Sequence, residues 1–254
     1  MTQKTLNVLI TSGGTSEPID NVRVITNLGT GRLGSLIADC FAEDEAVGNI
    51  FYVCAKNALR PVSDRVKEVP VGGVQDLLDA VEKLAGEYRI DAIVHSMAVS
   101  DYTVRSVTTV EKLAEFLSEK AGAEGTAEDI IRGLVETDER GTGGKLSSKM
   151  KDPIILLGPT PKVIGRMRSL APDAVIVGFK LLDHVTDEVL TDTARALMEK
   201  NDCDMVLAND SASIKGDEHV GHLMGRDGFS ETYRTKQEIA RGIAGEVIRK
   251  AGLK

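Results

Sequence analysis

Two rhythms of apolar positions alternate along the chain, and their order predicts the fold. Short, nearly continuous apolar runs read as strands at Leu6 to Ile10, Asn49 to Ala55, Val66 to Val71, Ile90 to Ser96, Ile154 to Leu157, Ala174 to Phe179 and Cys203 to Ala208. Between them, apolar residues recur at helical spacing over Arg32 to Glu43, Val74 to Tyr88, Thr186 to Asn201 and Lys236 to Lys250. Thr160 followed by Pro161 reads as the cap and first turn of another helix, running to about Leu170. His219 to Tyr233, interrupted by Arg226-Asp-Gly228, reads as a β-hairpin. Runs that are apolar throughout suit strands buried on both faces. Strands alternating with helices predict an α/β fold: a doubly wound, mostly parallel, Rossmann-like sheet with a C-terminal β-hairpin.

The first strand feeds a glycine- and hydroxyl-rich stretch, Thr11-Ser-Gly-Gly-Thr-Ser-Glu-Pro-Ile-Asp20, which runs on to Gly29-Thr-Gly-Arg-Leu-Gly34. Glycines allow a ligand close to the backbone, and the free N–H groups of a helix start attract anions. The stretch therefore reads as a phosphate-binding entry to the sheet. Gly29 to Gly34 also fits G-x-G-x-x-G, but a dinucleotide fingerprint should follow the first strand directly, and here a long loop intervenes. A dinucleotide site, a packing role and a phosphate cradle of another design all remain open on this pattern.

Met97 to Arg105 is expected as a connection leaving a strand's carboxyl end, the edge where open α/β sheets bind ligands. Asp101 there is a candidate for holding Mg²⁺ or a ligand hydrogen bond, or it is a plain loop acid. Residues 110–136 carry helical patterning with a glycine-containing break around 122–126. Glu136 to Lys151 is the least ordered stretch, with Lys145, Lys149 and Lys151 beside glycines. It suits either a mobile lid closing over phosphates or a solvated loop. One domain is expected over residues 1–254, with an α/β half at about 1–136, a lid at about 137–152 and a second half at about 153–254.

Composition narrows the partners. The 254 residues carry a net charge of -8, which argues against a general nucleic-acid or anionic-membrane surface and requires local basic groups for an anionic substrate. Cys40, Cys54 and Cys203 lie in apolar segments without C-x-x-C spacing, as expected of buried thiols in a reducing cytosol. No signal-peptide pattern or bilayer-length apolar run is evident, so a cytoplasmic location is expected. His219 and His222, three apart on an expected strand, point to opposite faces and make a poor metal pair.

Taken together, the motifs resemble the phosphopantothenoylcysteine synthetase (phosphopantothenate–cysteine ligase) family over nearly the whole chain. The resemblance rests on residues 11–23, Ile25-Thr-Asn27, Thr30 to Gly34, Met97-Ala-Val-Ser-Asp-Tyr102, Lys145-Leu-Ser-Ser148, Thr160 to Ile164, Val177-Gly-Phe-Lys180 and Ala208-Asn-Asp210. Without a preceding flavin-dependent decarboxylase pattern, it is similar to the stand-alone form. The resemblance implies an acyl-nucleotide intermediate made from 4'-phosphopantothenate and CTP with Mg²⁺, then capture by cysteine, in a homodimer. It further implies Asn27 and Lys145 as catalytic residues. Nucleotide-binding roles fall to Gly13, Gly14 and Gly31, to His95, Ser96 and Met97, to Asp101, to Pro161, Lys162, Val163 and Ile164, and to Phe179 and Lys200. Leu28-Gly29 replaces the family's usual His-Ser, and Ala196 replaces a basic residue. An NAD(P)-dependent oxidoreductase is the rival reading, with Tyr52 and Lys56 at Y-x-x-x-K spacing, but Cys54-Ala-Lys56 offers no ribose-binding acid. A non-catalytic nucleotide-binding module is the second rival.

Overall fold

A computed structural model describes residues 5–119, 126, 133, 138, 145–216 and 218–252. It divides into two compact units that do not follow the order of the chain. The first comprises Met1–Thr15, Leu28–Val99 and Lys162–Lys254, and the second Ser16–Asn27 and Ser100–Pro161. Strands from both halves of the chain share one sheet: Ala92 pairs with Val175 and His95 with Gly178.

The first unit is built on β1 (Leu6–Ser12), β4 (Val47–Ala55), β5 (Val66–Val71), β6 (Ala92–His95), β9 (Val175–Leu182), β10 (Met205–Asp210), β11 (Glu218–Gly225) and β12 (Ser230–Thr235). These form an eight-stranded sheet in the order β12-β11-β10-β9-β6-β1-β4-β5. The first six in chain order run parallel, and β11 and β12 add the expected antiparallel hairpin at one edge. Strand order reverses between β1 and β6, which makes their carboxyl ends the topological switch point.

Both faces of the sheet are covered, and the strand residues alternate between the two cores. Val8, Ile10, Ile50 and Tyr52 join α1 (Arg32–Ala42) and α6 (Lys236–Gly252). Leu9, Phe51, Val53 and Ile93 join α2 (Val74–Glu87), α4 (Ile164–Leu170) and α5 (Asp187–Lys200). Thr186 caps α5, its hydroxyl accepting from the Val189 N–H, with Asp187 and Glu188 favouring the positive helix end. All three cysteines are buried and free, and burial pushes the Cys54 and Cys203 thiols up to about 11. Among the described residues, no helix is long and apolar enough to cross a membrane.

The second unit holds a small hairpin, β2 (Ser16–Pro18) with β3 (Val24–Thr26), and an antiparallel ladder, β7 (Tyr102–Thr109) with β8 (Pro153–Pro159), followed on the β7 side by α3 (Val110–Glu119). Three expectations change here. The stretch after Asp101, expected as a connection, is a strand, as its Val- and Thr-rich sequence favours. Ile154 to Leu157 pairs with β7 outside the main sheet. The helix expected from Thr160 begins at Ile164, because the Thr160 hydroxyl donates to the Ser100 carbonyl at 2.5 Å and caps no helix. Most of the helical patterning expected between 120 and 136 lies outside the described residues.

His219, on β11, is 5% exposed, and neither ring nitrogen has a hydrogen-bond partner among the described residues. Burial, with a smaller push from the Lys236 charge, lowers its imidazole to about 4. The unfolded chain takes up this proton near 6.5, so between those values folding stability falls as pH falls. Replacing an unpaired buried polar group with an apolar one of similar size removes a desolvation penalty. His219→Leu is expected to raise stability by about 1 kcal/mol at pH 7, and by more at pH 5. Denaturant unfolding at both values checks this, and a destabilised variant would show that the imidazole has a partner.

Candidate functional site

The switch point is held together mainly by Thr11. Its carbonyl accepts the Ser96 N–H at 3.2 Å and the Ser96 hydroxyl at 2.7 Å, while its hydroxyl accepts the Met97 N–H at 3.3 Å and meets His95 Nδ1 at 2.8 Å. Burial lowers His95 to about 4, so the ring is neutral at physiological pH. The Thr11 hydroxyl therefore serves the Met97 N–H and the His95 ring together. Beyond the strands, Ala98 N–H donates to Gly13 O and Thr15 N–H to Ala98 O, extending the pairing past Gly14. The side chains of His95 and Ser96 are thus engaged with Thr11, and Met97 is buried in the core, which leaves backbone groups as what this strand end can offer a ligand.

The glycines crowd this loop. Gly13 has φ +91°, and a Cβ there would lie 2.8 Å from Ala58 Cβ and 2.9 Å from Ala55 Cβ. A Cβ on Gly29 would stand 2.6 Å from Gly13 O, and Gly31, at φ +76°, would meet Ala58 at 2.8 Å. One on Gly34 would collide with the Ser12 side chain. The G-x-G-x-x-G letters are therefore explained by close backbone approach between the loop after β1 and the start of α1. Gly31 precedes α1 in a left-handed conformation, with no side-chain cap and no acid in the first helical turn. The Arg32 N–H meets the Thr30 hydroxyl at 3.4 Å, and a helix start of this kind, without an acid of its own, favours anions.

Tyr52 anchors both loops from beneath. It is fully buried, donates to Leu59 O at 2.8 Å and lies 2.9 Å from Ser12 Oγ, which itself donates to Gly31 O at 3.1 Å. Burial raises its phenol to about 12, with the Ser12 contact opposing. A phenol pinned in the core cannot serve as an exposed proton donor, and Lys56 is exposed, so the Y-x-x-x-K spacing is coincidental.

Further along the same edge, Phe179 lies on β9, partly buried against the core. Lys162 is exposed just before α4, whereas Val163 is buried and Ile164 packs into the core, so neither apolar side chain is free for a ligand. Asp210, in the Ala-Asn-Asp motif, accepts the His184, Val185 and Ala212 N–H groups at 3.1, 2.8 and 2.8 Å. These bonds, the one from Val185 foremost, lower its pKa and join the turns that follow β9 and β10. Lys200 is placed elsewhere. It ends α5, whose first turn rather than its last follows the carboxyl end of β9, and 14 helical residues span about 21 Å.

Four remaining expected site residues belong to the second unit. Asn27 follows β3 and is half-buried; among the described residues its side chain has no hydrogen-bond partner. Lys145 is exposed and precedes the buried Leu146. Asp101 is exposed at the root of the β7–β8 ladder, its carbonyl accepting the Thr160 N–H at 3.0 Å, and Pro161 is exposed at the other side of that root. Among the described residues no cluster of three His, Cys, Asp or Glu could hold a metal. Sequence reasoning took Thr11, Asp20 and Arg23 only as parts of a motif and Tyr52 only for its spacing from Lys56, without the bonds their side chains make. An acid three residues before an arginine in a short hairpin was the available signal for Asp20 and Arg23.

An open sheet whose six parallel strands, counted in chain order, lie 6-5-4-1-2-3, with glycine-crowded loops at the reversal, defines a doubly wound α/β protein of the nucleotide-binding type. The chain belongs to the family described as the DNA/pantothenate metabolism flavoprotein C-terminal domain, whose model matches residues 3–137 and 137–250. It is 31% identical to the DNA/pantothenate metabolism flavoprotein from Streptococcus pneumoniae, covering 96% of this chain and 99% of that one, with a TM-score of 0.80. The Coenzyme A biosynthesis bifunctional protein CoaBC of Thermococcus kodakarensis is 28% identical over 243 residues, 94% of this chain and 50% of that protein. A Cab2 mutant solved in complex with phosphopantothenate-cysteine shares the fold, at 18% identity over 98% of this chain and 87% of that one, with a TM-score of 0.68. The chain spans about half the length of the curated CoaBC relatives it matches.

Tyr52→Phe removes the hydroxyl bonded to Ser12 and Leu59. It is expected to lower stability by about 1–2 kcal/mol, since the Leu59 carbonyl loses its buried donor. Urea unfolding of the variant checks this, and an unchanged midpoint would show that the loops hold without the tyrosine.

Proposed function

We propose that this chain joins 4'-phosphopantothenate to cysteine through an acyl-nucleotide made from CTP, a step of coenzyme A biosynthesis. The membership of the flavoprotein C-terminal domain family carries the reading, supported by the uncapped, glycine-crowded start of α1 at the sheet's switch point. In the first step a carboxylate oxygen of phosphopantothenate attacks the α-phosphorus of CTP. A new P–O bond forms, the bond to the β-phosphate breaks, and pyrophosphate leaves. In the second step the cysteine amine attacks the acyl carbon; the C–N bond forms, the C–O bond breaks, CMP departs and the amine proton goes to solvent or a nearby base.

Each residue has a distinct task in this reading. Gly13, Gly14 and Gly31 let phosphate oxygens approach backbone N–H groups, where the helix end adds favourable charge. The unengaged Asn27 amide donates to the acyl oxygen as charge gathers on it. Lys145 answers the negative charge on the phosphates, a stronger attraction in a site that excludes water. Mg²⁺, which commonly uses one carboxylate and substrate phosphates, has an exposed candidate partner in Asp101. It would neutralise phosphate charge when bound. A homodimer is part of the same reading, motivated by the β11–β12 hairpin at the sheet edge, and so is a cytoplasmic location.

The decisive assay follows pyrophosphate release from CTP with phosphopantothenate, and amide formation on adding cysteine. Lys145→Gln is expected to slow the first step with little change in melting temperature, because the side chain is exposed. Asn27→Asp is expected to slow product formation about 10²–10³-fold, the usual cost of one lost donor at a developing oxyanion. Normal turnover in both folded variants would reject these roles, and no pyrophosphate from the wild type would reject the ligase.

A further inference from the structure

Asp20 makes more hydrogen bonds than a hairpin turn requires. Its side chain is 2% exposed. Oδ1 accepts the Val22 and Arg23 N–H groups at 2.9 and 2.8 Å, closing the turn between β2 and β3. Oδ2 takes the Arg23 guanidinium, at 3.0 Å from Nε and 2.5 Å from Nη2. The same Oδ2 accepts the Leu146 N–H at 3.0 Å, across 126 residues of chain, while Arg23 Nη2 donates to the Leu146 carbonyl at 3.2 Å. Both backbone groups of Leu146 are therefore satisfied by one ion pair. The Leu146 side chain is buried with Val104 and Val107, beside Ile19, Ile25 and Met150. The Arg23 guanidinium, and then the backbone donors, hold the Asp20 carboxyl well below the usual range against the opposing effect of burial.

Consider what stands at either end of this clasp. Asn27 immediately follows β3, the second strand of the hairpin that Asp20 closes, and Lys145 is the residue before Leu146. We propose that Asp20 is a positioning residue: with Arg23 it fixes the backbone beside Lys145 to the hairpin that presents Asn27. The two groups assigned to the acyl-nucleotide are then mounted on one rigid element. The inference rests on the ligase reading, but the clasp itself can be tested without it. Lys145 projects from a fixed root with a free side chain, so Asp20 acts on where the cation starts from and not on its charge.

Asp20→Asn keeps an oxygen for the turn and replaces the acceptor that Arg23 and Leu146 share. The first measurement uses the whole protein without ligands: trypsin cleavage of the Lys145–Leu146 bond, followed by mass spectrometry. Loss of a charged hydrogen bond to the backbone should speed this cleavage by about tenfold to a hundredfold. Equal rates in wild type and variant would overturn the clasp. The second measurement compares Asp20→Asn, Lys145→Gln and the double variant in pyrophosphate release. Asp20→Asn is expected to lower kcat by about tenfold to a hundredfold, as misplacement by an ångström does, with KM for CTP little changed. In the Lys145→Gln background it should cost nothing further. A full additional loss there would show that Asp20 is merely structural and overturn the positioning role. Should Asp20→Asn fail to fold, Arg23→Lys, which keeps the charge but loses the paired bonds to Asp20 and the bond to the Leu146 carbonyl, is expected to show the same pattern in weaker form. A wild type that releases no pyrophosphate defeats the ligase reading, while the cleavage comparison still decides the clasp.

Discussion

Thr11 is the residue on which the candidate site most depends. Two strands from opposite arms of a doubly wound sheet diverge at the switch point, and something must satisfy the backbone groups they leave there. Thr11 does so with both its carbonyl and its hydroxyl, taking two donors from Ser96, one from Met97 and the ring of His95. The hydroxyl holds the Met97 N–H and the His95 ring at once, and because the ring is buried it stays neutral. The loop after β1 can then be glycine-rich without being loose. It lies against Ala55 and Ala58 on one side and the start of α1 on the other, with Tyr52 beneath. Adaptable backbone over a rigid floor is what an anion cradle requires.

How legible this was depends on what kind of information each feature needed. The sheet could be read because six runs of strand length alternate with helical periodicity, and periodicity is a local property. The terminal hairpin could be read because Arg226-Asp-Gly228 is turn chemistry, and Gly228 indeed takes φ +88°. The division into units could not, since it depends on which strands pair. Ile154 to Leu157 has the composition of a sheet strand, and only its partnership with β7 puts it elsewhere. Thr160 has the right residue type for a cap, but the Ser100 carbonyl competes for its hydroxyl from 60 residues away.

The site divides along the same line. Glycines at 13 and 31 were visible as glycines, and the structure supplies the reason, positive φ and neighbours too close for a Cβ. His95, Ser96 and Met97 were visible as a strand end, but not that their side chains would be spent on Thr11 or the core. Lys200 was visible only as a lysine near the end of a helix, and the direction of that helix sets it at the far edge from the glycines. Tyr52 was visible only through its spacing from Lys56, and nothing local shows that its hydroxyl would reach Ser12 and Leu59. Long-range hydrogen bonds, rather than residue types, are what the sequence withholds.

The second unit shows why such bonds matter more where the apolar core is thin. Its described core is a small cluster around Val104, Val107 and Leu146, against two extensive clusters in the first unit. A few buried aliphatic side chains contribute about 1.5–3 kcal/mol each at most, which leaves little surplus over the conformational entropy lost on folding. An ion pair alone would add little, because Arg23 is half exposed. What makes the Asp20 arrangement effective is that one carboxylate closes a turn, orients a guanidinium and accepts a distant N–H at the same time. Those bonds fall on the hairpin that Asn27 follows and on the backbone next to Lys145.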